Sequence, residues 1–248
     1  MPSSNPLLQP KSFSKNEYFS KTGTFEKGMT VEGTVNKTGI LLTLLVVSAG
    51  WVWWFSYNNP SVIMPYMLIG IIGGFIALLI TMFKKDIAPV TAPIYAILEG
   101  FAIGGISTLF EGQYPGIVTQ AVCLTFTTMF AMLFLYKFNV IRVTDNFRRG
   151  VIAATMGIAL VYVFGFILSL FHVPTGFIFG GGVIGIGFSI FVIIIAAFNL
   201  VLDFDFIEKS ATHSLPKYME WFAAVGLMVT LVWLYLEFLR LLSKLRER

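Results

Sequence analysis

Acidic residues inside long apolar runs are the feature of this sequence whose chemistry is most informative. Of the 13 Asp and Glu residues, four lie within such a run or at its edge: Glu99, Asp203, Asp205 and Glu237. An ionised carboxylate inside a bilayer costs on the order of 3 kcal/mol or more, so an acid at that depth is a functional-site hypothesis. Carboxylate oxygens suit protons or hard cations such as Ca²⁺ better than zinc or copper. We therefore expect proton or cation chemistry, with no particular metal assigned.

Helical geometry separates the two aspartates that follow one of these runs. Asp203 and Asp205 are two residues apart, which on a helix is a rotation of about 200°, so both cannot face the same interior. Asp205 precedes Lys209 by four residues, a spacing that favours a local ion pair near the membrane surface. Asp203 shares a face with Asn199 and has no basic partner on its own helix. Asp203 is therefore the interior candidate.

Glu237 has two interpretations, and both stay open at this stage. Arg240 follows it by three residues, so the two side chains can form a local pair while the arginine reaches toward the interface. Alternatively, Glu237 meets Asp203 across the bundle. Two carboxylates close together in a low dielectric cannot both ionise easily, so such a pair would share a proton and act as a pH switch.

The depth of the two acids depends on where the last two apolar runs turn. A hairpin that turns around His213 places residue 223 opposite Asp203. A turn near Glu220 instead brings Asp203 level with Glu237. Glu220 itself follows Lys217 by three residues, and we expect these two side chains to form an exposed ion pair.

Glu99 lies on a face of small residues, next to Gly100. A protonated carboxyl bonded to a neighbouring helix is one interpretation, and a further polar station on an ion pathway is the other. Small residues at four-residue spacing let helix backbones approach closely, and the cluster from Gly180 to Gly182 suggests either such packing or a break. The predicted small-residue faces are Gly70 with Gly74, Ala96 with Gly100 and Gly104, and Gly181 with Gly185 and Ser189.

The elements that must position these acids are membrane-spanning helices. Hydrophobic residues make up 56% of the 248 positions and charged residues only 12%, which is typical of an integral membrane protein. Seven continuous apolar runs are each near the roughly 20 residues that a helix needs to cross the hydrocarbon core, and their lack of alternation argues against a β-barrel. The runs cover Ile40 to Tyr57, Val62 to Phe83, Thr91 to Phe110, Gly116 to Tyr136, Val151 to Phe171, Ile178 to Leu202 and Phe222 to Leu242.

Charge and composition predict the domain organisation and the orientation. Residues 1–36 are polar and should form a flexible tail, and residues 37–248 should form the transmembrane domain. With the N-terminus inside, 13 of the 17 Lys and Arg residues collect on the cytoplasmic side, as the positive-inside rule requires. The basic C-terminus then lies outside, unless one late segment is re-entrant. The net charge of +4 predicts contact with anionic lipid headgroups and no nucleic-acid partner.

Enzyme signatures are missing from this sequence. The two histidines, His172 and His213, both fall in predicted loops, and neither belongs to an HExxH pattern. A serine nucleophile inside a span would have no histidine to act as its base. The spans also contain no lysine for a retinal Schiff base and no phosphate-binding loop. We therefore expect no catalysis and no bound cofactor.

Three stretches of the sequence carry a resemblance to a known family. They are Tyr95 to Gly100 (YAILEG), Ala197 to Glu208 (AFNLVLDFDFIE), and Met219 to Trp221 (MEW) with Leu234 to Glu237 (LYLE). By these stretches the chain resembles the bacterial branch of the Bax inhibitor family, over nearly everything except the tail. The resemblance implies a seven-helix bundle with the last helix at its centre. It also implies a pH-sensitive cation leak channel, mainly for Ca²⁺, gated by two intramembrane acids.

The resemblance assigns the two acids by motif. The first falls on Asp203, four residues before Ile207, and the second on Glu237, where the family commonly has aspartate. Glutamate is one methylene longer, and 34 residues separate the two acids, more than in a typical family hairpin. An alternative function is a non-transporting regulator that binds another membrane protein, such as a membrane-anchored protease, through the Lys-rich N-terminal tail. A receptor for a small ligand is a third possibility. The expected location is a bacterial inner membrane.

Overall fold

The chain folds into long helices that run back and forth across one bundle. A computed structural model describes residues 28–171 and 176–247, and within these residues seven helices are long and apolar enough to cross a membrane. The all-α, seven-span prediction is therefore confirmed. The helices are α1 Val31–Asn58, α2 Ile63–Phe83, α3 Ala88–Gln113, α4 Ile117–Lys137, α5 Asp145–Leu170, α6 Val183–Thr212 and α7 Met219–Arg246.

Local sequence signals account for where several helices begin. The Thr30 hydroxyl accepts a 3.0 Å hydrogen bond from Gly33 N and caps α1, and Thr144 caps α5 in the same way. A cap satisfies backbone N–H groups that the first turn of a helix leaves free. Because of its cap, α1 begins at residue 31, within the predicted tail of residues 1–36. Residues 1–27 of that tail lie outside the described residues.

The sixth span is broken near its start. A single helical turn, Gly176–Phe179, precedes α6, and residues 180–182 form bends between the two. The α6 helix therefore begins at Val183 and not at the predicted residue 178. Of the two interpretations of the glycine cluster, the break is confirmed.

The two ends of the bundle differ in charge. One end holds the start of α1 and the loops at 84–87, 138–144 and 213–218, and we call it the basic end. Among the described residues it carries nine Lys and Arg residues, whereas the opposite end, the C-terminal end, carries three. At the C-terminal end, Arg246 of α7 donates to Pro115 O in the loop between α3 and α4. The end of α7 therefore lies on the opposite side of the bundle from the start of α1.

The last helix is the centre of the bundle. In the most apolar window of α7, 72% of residues are buried, against 17–50% for the other six spans. It packs against α1, α3, α4 and α6, which confirms the expected central position.

Small residues bring α1, α2 and α3 close together, also as predicted. A Cβ built on Gly104 of α3 would lie 2.6 Å from Ala49 O of α1, and one on Gly70 of α2 would overlap the backbone of Ala102 of α3. No real Cβ fits at such distances. The glycines are therefore needed for the close approach of these three helices.

Candidate functional site

Polar side chains spaced seven residues apart join α5 to α6 and α7. Positions 148, 155 and 162 share one face of α5, because seven residues make almost two full turns. Three residues after each of these positions, α5 has a buried residue that is apolar or glycine: Val151, Ile158 and Gly165. We call the line of polar contacts the polar seam. It consists of Arg148 with Asp205, Thr155 with Asn199, and Tyr162 with Glu237.

The middle of the polar seam is a hydrogen-bonded amide. Asn199 Nδ2 donates to Thr155 Oγ1 at 2.8 Å and to Ile195 O at 2.9 Å. These bonds hold the amide nitrogen toward α5 and leave the amide oxygen as an acceptor. Asn199 and Asp203 are one turn apart on the same side of α6, as the sequence predicted, so a polar strip continues along α6 from the amide to the acid.

Asp203 is the interior acid of α6. Thr230 of α7 lies beside its carboxyl group, and the Thr230 hydroxyl donates to Gly226 O at 3.3 Å. Its Oδ2 atom is buried and has no hydrogen-bond partner among the described residues. A buried polar atom without a partner costs about 1–3 kcal/mol. This oxygen is therefore an acceptor that a proton or a cation can satisfy.

Asp205 belongs to an ion-pair cluster at the basic end. Lys209 Nζ lies 2.9 Å from Asp205 Oδ2, which confirms the predicted local pair. Asp205 is only 6% exposed, so its carboxylate is buried between helices at this end of the bundle. Arg148 from the first turn of α5 covers the same oxygen at 2.5 Å. Arg148 therefore holds α5 against α6.

Glu237 of α7 has a partner on its own helix and one on α5. Arg240 Nη1 lies 2.7 Å from Glu237 Oε1, and Tyr162 Oη donates to the same oxygen at 2.8 Å. Arg240 also donates to Tyr162 Oη at 2.6 Å and lies over the tyrosine ring. The local pair predicted as one alternative for Glu237 is thus present. Glu237 is only 1% exposed, and its Oε2 atom is buried without a partner among the described residues.

Asp203 and Glu237 lie at different depths. The bond from Lys244 Nζ to Ser189 Oγ at 3.0 Å places residue 244 opposite residue 189. In the same antiparallel register residue 230 lies opposite residue 203, which agrees with the nearness of Thr230 to Asp203. Glu237 is seven residues beyond Thr230, which is about 10 Å along a helix that rises about 1.5 Å per residue. The two carboxyl groups therefore do not share a proton in this structure.

The loop between α6 and α7 explains this register. Helix α6 ends at Thr212 and α7 begins at Met219, so the turn is centred between the two positions that the sequence allowed. Asp203 faces neither residue 223 nor Glu237 but a position between them. The tight carboxylate pair implied by the family resemblance is replaced here by two separate acids.

Glu99 of α3 lies away from the polar seam. Tyr95, one turn earlier on the same helix, lies close to its carboxyl group. The carboxyl group also packs against α2, where a Cβ on Gly74 would lie 3.2 Å from Glu99 Oε2. A bond from this group to a neighbouring helix stays a prediction. The role of Glu99 as a further polar station stays a prediction.

Glu220, at the start of α7, is a fully buried acid. Lys217 lies 2.6 Å from its Oε1 atom, so the predicted pair is confirmed, but the predicted exposure is wrong because Glu220 is 0% exposed. Its carboxylate also pairs with Lys37 and accepts bonds from Thr30 N and Thr30 Oγ1 at 2.9 Å. A Cβ on Gly33 would overlap the carboxylate. Glu220 therefore fastens the start of α1 to the start of α7.

Several polar residues of the site were missed from the sequence. Tyr162 and Thr155 are isolated in an apolar run, yet their seven-residue spacing from Arg148 was a readable signal of one polar face. Lys244 was counted only as an outside charge, but it is 3% exposed and also donates to Gly185 O at 2.9 Å. Nothing in the local sequence indicates that burial, because its acceptors lie next to the break in the sixth span.

The described residues hold no ready-made metal site. Within them, no group of three or more His, Cys, Asp and Glu side chains is placed to hold a metal ion. Ca²⁺ takes about six to eight oxygen ligands, which a single carboxylate does not supply.

Comparison with known proteins finds a match to a family model but to no individual protein. A family model described as Bax inhibitor 1 like matches residues 5–247, which includes all seven spans. No curated protein matches the chain, and no solved structure does.

Proposed function

Because the chain belongs to the Bax inhibitor family, we propose that it is a pH-sensitive leak channel for cations, principally Ca²⁺, or a proton-coupled exchanger of the same ion. One observation carries the proposal. Asp203 and Glu237, both in the membrane-spanning bundle, each keep a buried carboxylate oxygen without a partner among the described residues. The two acids act in series as separate stations.

The arrangement suits transport better than simple helix packing. Acids that only join helices gain from having every oxygen bonded, because an unpaired buried oxygen costs about 1–3 kcal/mol. Here the unpaired oxygens lie about 10 Å apart along the bundle axis, with the Asn199 amide oxygen on the same side of α6 as Asp203. A cation can pass from one oxygen to the next without meeting a site tight enough to trap it.

The proposed pH response follows from the charge of the stations. A carboxylate attracts a cation only when it is ionised, and protonation removes that attraction. The groups that face Glu237 are Tyr162, Arg240 and, through its charge, Lys244. The group that lies beside Asp203 on α7 is Thr230. Flux of Ca²⁺ is therefore expected to fall as the pH is lowered.

The proposal includes an orientation. We place the basic end in the cytoplasm, because loops rich in Lys and Arg stay on the cytoplasmic side. The C-terminal end then faces the outside of a bacterial inner membrane, as expected from the family resemblance. Under this orientation a cation from outside meets the level of Glu237 before that of Asp203.

Purified full-length protein in vesicles that contain a Ca²⁺ indicator tests the proposal. We expect Asp203→Asn to lower the Ca²⁺ flux at pH 8 and to weaken its dependence on pH between 5 and 8. Asp86→Asn, which makes the same chemical change at an exposed loop position, is the matched control and should behave as wild type. Equal flux through the Asp203→Asn variant and the wild type would refute the proposal.

A further inference from the structure

A cavity of about 250 Å³ opens in the side of the bundle, away from the polar seam. Its walls come from α1 and α4, and its floor comes from α3 and α7. The floor includes Gly104 and Leu231, and Gly104 is the residue that lets α1 approach α3 closely. The cavity is therefore a fixed feature of the helix packing.

The polar groups of the cavity are satisfied within the protein. Ser107 Oγ and Tyr235 Oη, both on the floor, bond to each other at 2.7 Å. Thr125 Oγ1, on the α4 wall, donates to Ala121 O at 2.8 Å. The other lining side chains are hydrocarbon or aromatic. An apolar cavity with no free polar group does not hold water well, so its occupant must be apolar.

The opening of the cavity is continuous with the surface that contacts lipid. The floor residues Ser107 and Tyr235 are buried. The rim residues Val46 of α1 and Val122 of α4 are 59% and 38% exposed and belong to the apolar belt of the spans. A molecule can therefore enter sideways from the hydrocarbon of the bilayer.

The dimensions of the cavity match one leaflet. On α1 the lining runs from Leu42 to Trp53, which is about 16 Å at a rise of about 1.5 Å per residue. Half of a hydrocarbon core of about 30 Å is about 15 Å. The lining of α4 starts at Val118, next to the C-terminal end of the bundle. The cavity therefore lies in the leaflet at that end.

We infer that this cavity binds one acyl chain of a phospholipid from the leaflet at the C-terminal end. The acyl chain lies along α1 and α4 and covers the floor made by α3 and α7. This site is separate from the polar seam, because Tyr235 and Glu237 are two residues apart on α7 and so point in different directions. The inference does not depend on the proposed ion transport.

Photolabelling of the full-length protein in phosphatidylcholine vesicles tests the site. The probe is a phosphatidylcholine that carries a diazirine in the middle of one acyl chain, and the labelled residues are mapped by mass spectrometry. Gly50→Phe should fill the cavity without a clash, because Gly50 lines it and a Cβ there would meet no atom within 4 Å. Gly157→Phe on α5 is the matched control, since it is also exposed with open space and lies outside the cavity.

We expect labels in the wild type to concentrate on cavity residues of α3 and α7, which ordinary lipid contact at the outer surface does not reach. Gly50→Phe should lose this labelling, and Gly157→Phe should keep it. Both variants should elute as monodisperse protein, which separates loss of the site from loss of the fold. Labels spread evenly over the exposed faces would overturn the inference. So would cavity labelling by a diazirine sterol in the absence of labelling by the acyl-chain probe.

Discussion

Replacement of Glu237 by Gln removes one negative charge from the polar seam and changes little else. The glutamine keeps the length of the side chain, and its amide oxygen can still accept the bonds from Tyr162 Oη and Arg240 Nη1, which are 2.8 and 2.7 Å long in the wild type. The packing of α5 against α7 should therefore survive. The lost function is the attraction of the carboxylate for a cation.

The size of this effect can be worked out from Coulomb's law. A divalent cation about 4 Å from one carboxylate gains about 2 kcal/mol even at the dielectric constant of water, which is about a 30-fold change in occupancy. That value is a lower bound because Glu237 is buried. Arg240, whose side chain is 39% exposed, keeps its positive charge in both proteins, so the difference between them is the attraction of the carboxylate alone.

The assay is the rate of Ca²⁺ entry into vesicles that hold equal amounts of folded protein at pH 8. We expect Glu237→Gln to conduct at least about 30-fold more slowly than the wild type. Glu247→Gln is the matched control, because Glu247 directly follows the same helix at its exposed C-terminal end, where it bonds with Tyr114. A Glu237→Gln protein that stays monodisperse and conducts as fast as the wild type would show that Glu237 is not on the cation path.

Three further predictions concern the scaffold and the tail. Glu220→Gln should lower the melting temperature in detergent, because breaking a buried ion pair by removing one partner costs about 3–5 kcal/mol, whereas the same change at the exposed Glu32 should have little effect. Gly104→Ala should destabilise the protein, since its Cβ would lie 2.6 Å from a backbone oxygen of α1, whereas Gly112→Ala meets no atom within 4 Å and should not. Deletion of residues 1–27 should leave Ca²⁺ flux intact. If the deletion also removes a co-purifying membrane protein while the flux stays normal, that result would favour the regulator hypothesis for the tail.

The class of protein and the number of spans could be predicted because both follow from the hydropathy and the length of the apolar runs in the sequence. The helix ends could not be predicted as well, since caps and tertiary contacts extend the helices past the apolar core. Helix α1 begins nine residues before the predicted run at Ile40, because Thr30 caps it and Glu220 binds Thr30. The break at residues 180–182 was visible as a glycine cluster, but glycines at other positions serve close packing instead.

The site could be predicted only in part because its contacts join distant segments. Asp203 was assigned to the interior from helical geometry on its own helix. The depth of Asp203 relative to Glu237 depends on where the chain turns between α6 and α7. If this turn shifts by a few residues, the α7 residue opposite Asp203 changes by several positions. The burial of Glu220 depends on Lys37, 183 residues away in the sequence. Neither the relative depth of Asp203 and Glu237 nor the burial of Glu220 is indicated by a local pattern in the sequence.

In the proposed mechanism, Asp203 and Glu237 are two separate carboxylate stations on one cation path. The most direct test measures the Ca²⁺ entry rate for the wild type, for Asp203→Asn, for Glu237→Gln and for the double variant, all at pH 8. Sites about 10 Å apart that share no partner should have additive free-energy effects. We therefore predict that the fold-losses of the two single variants multiply in the double variant. A double variant no slower than either single variant, or a wild type no faster than protein-free vesicles, would contradict this account.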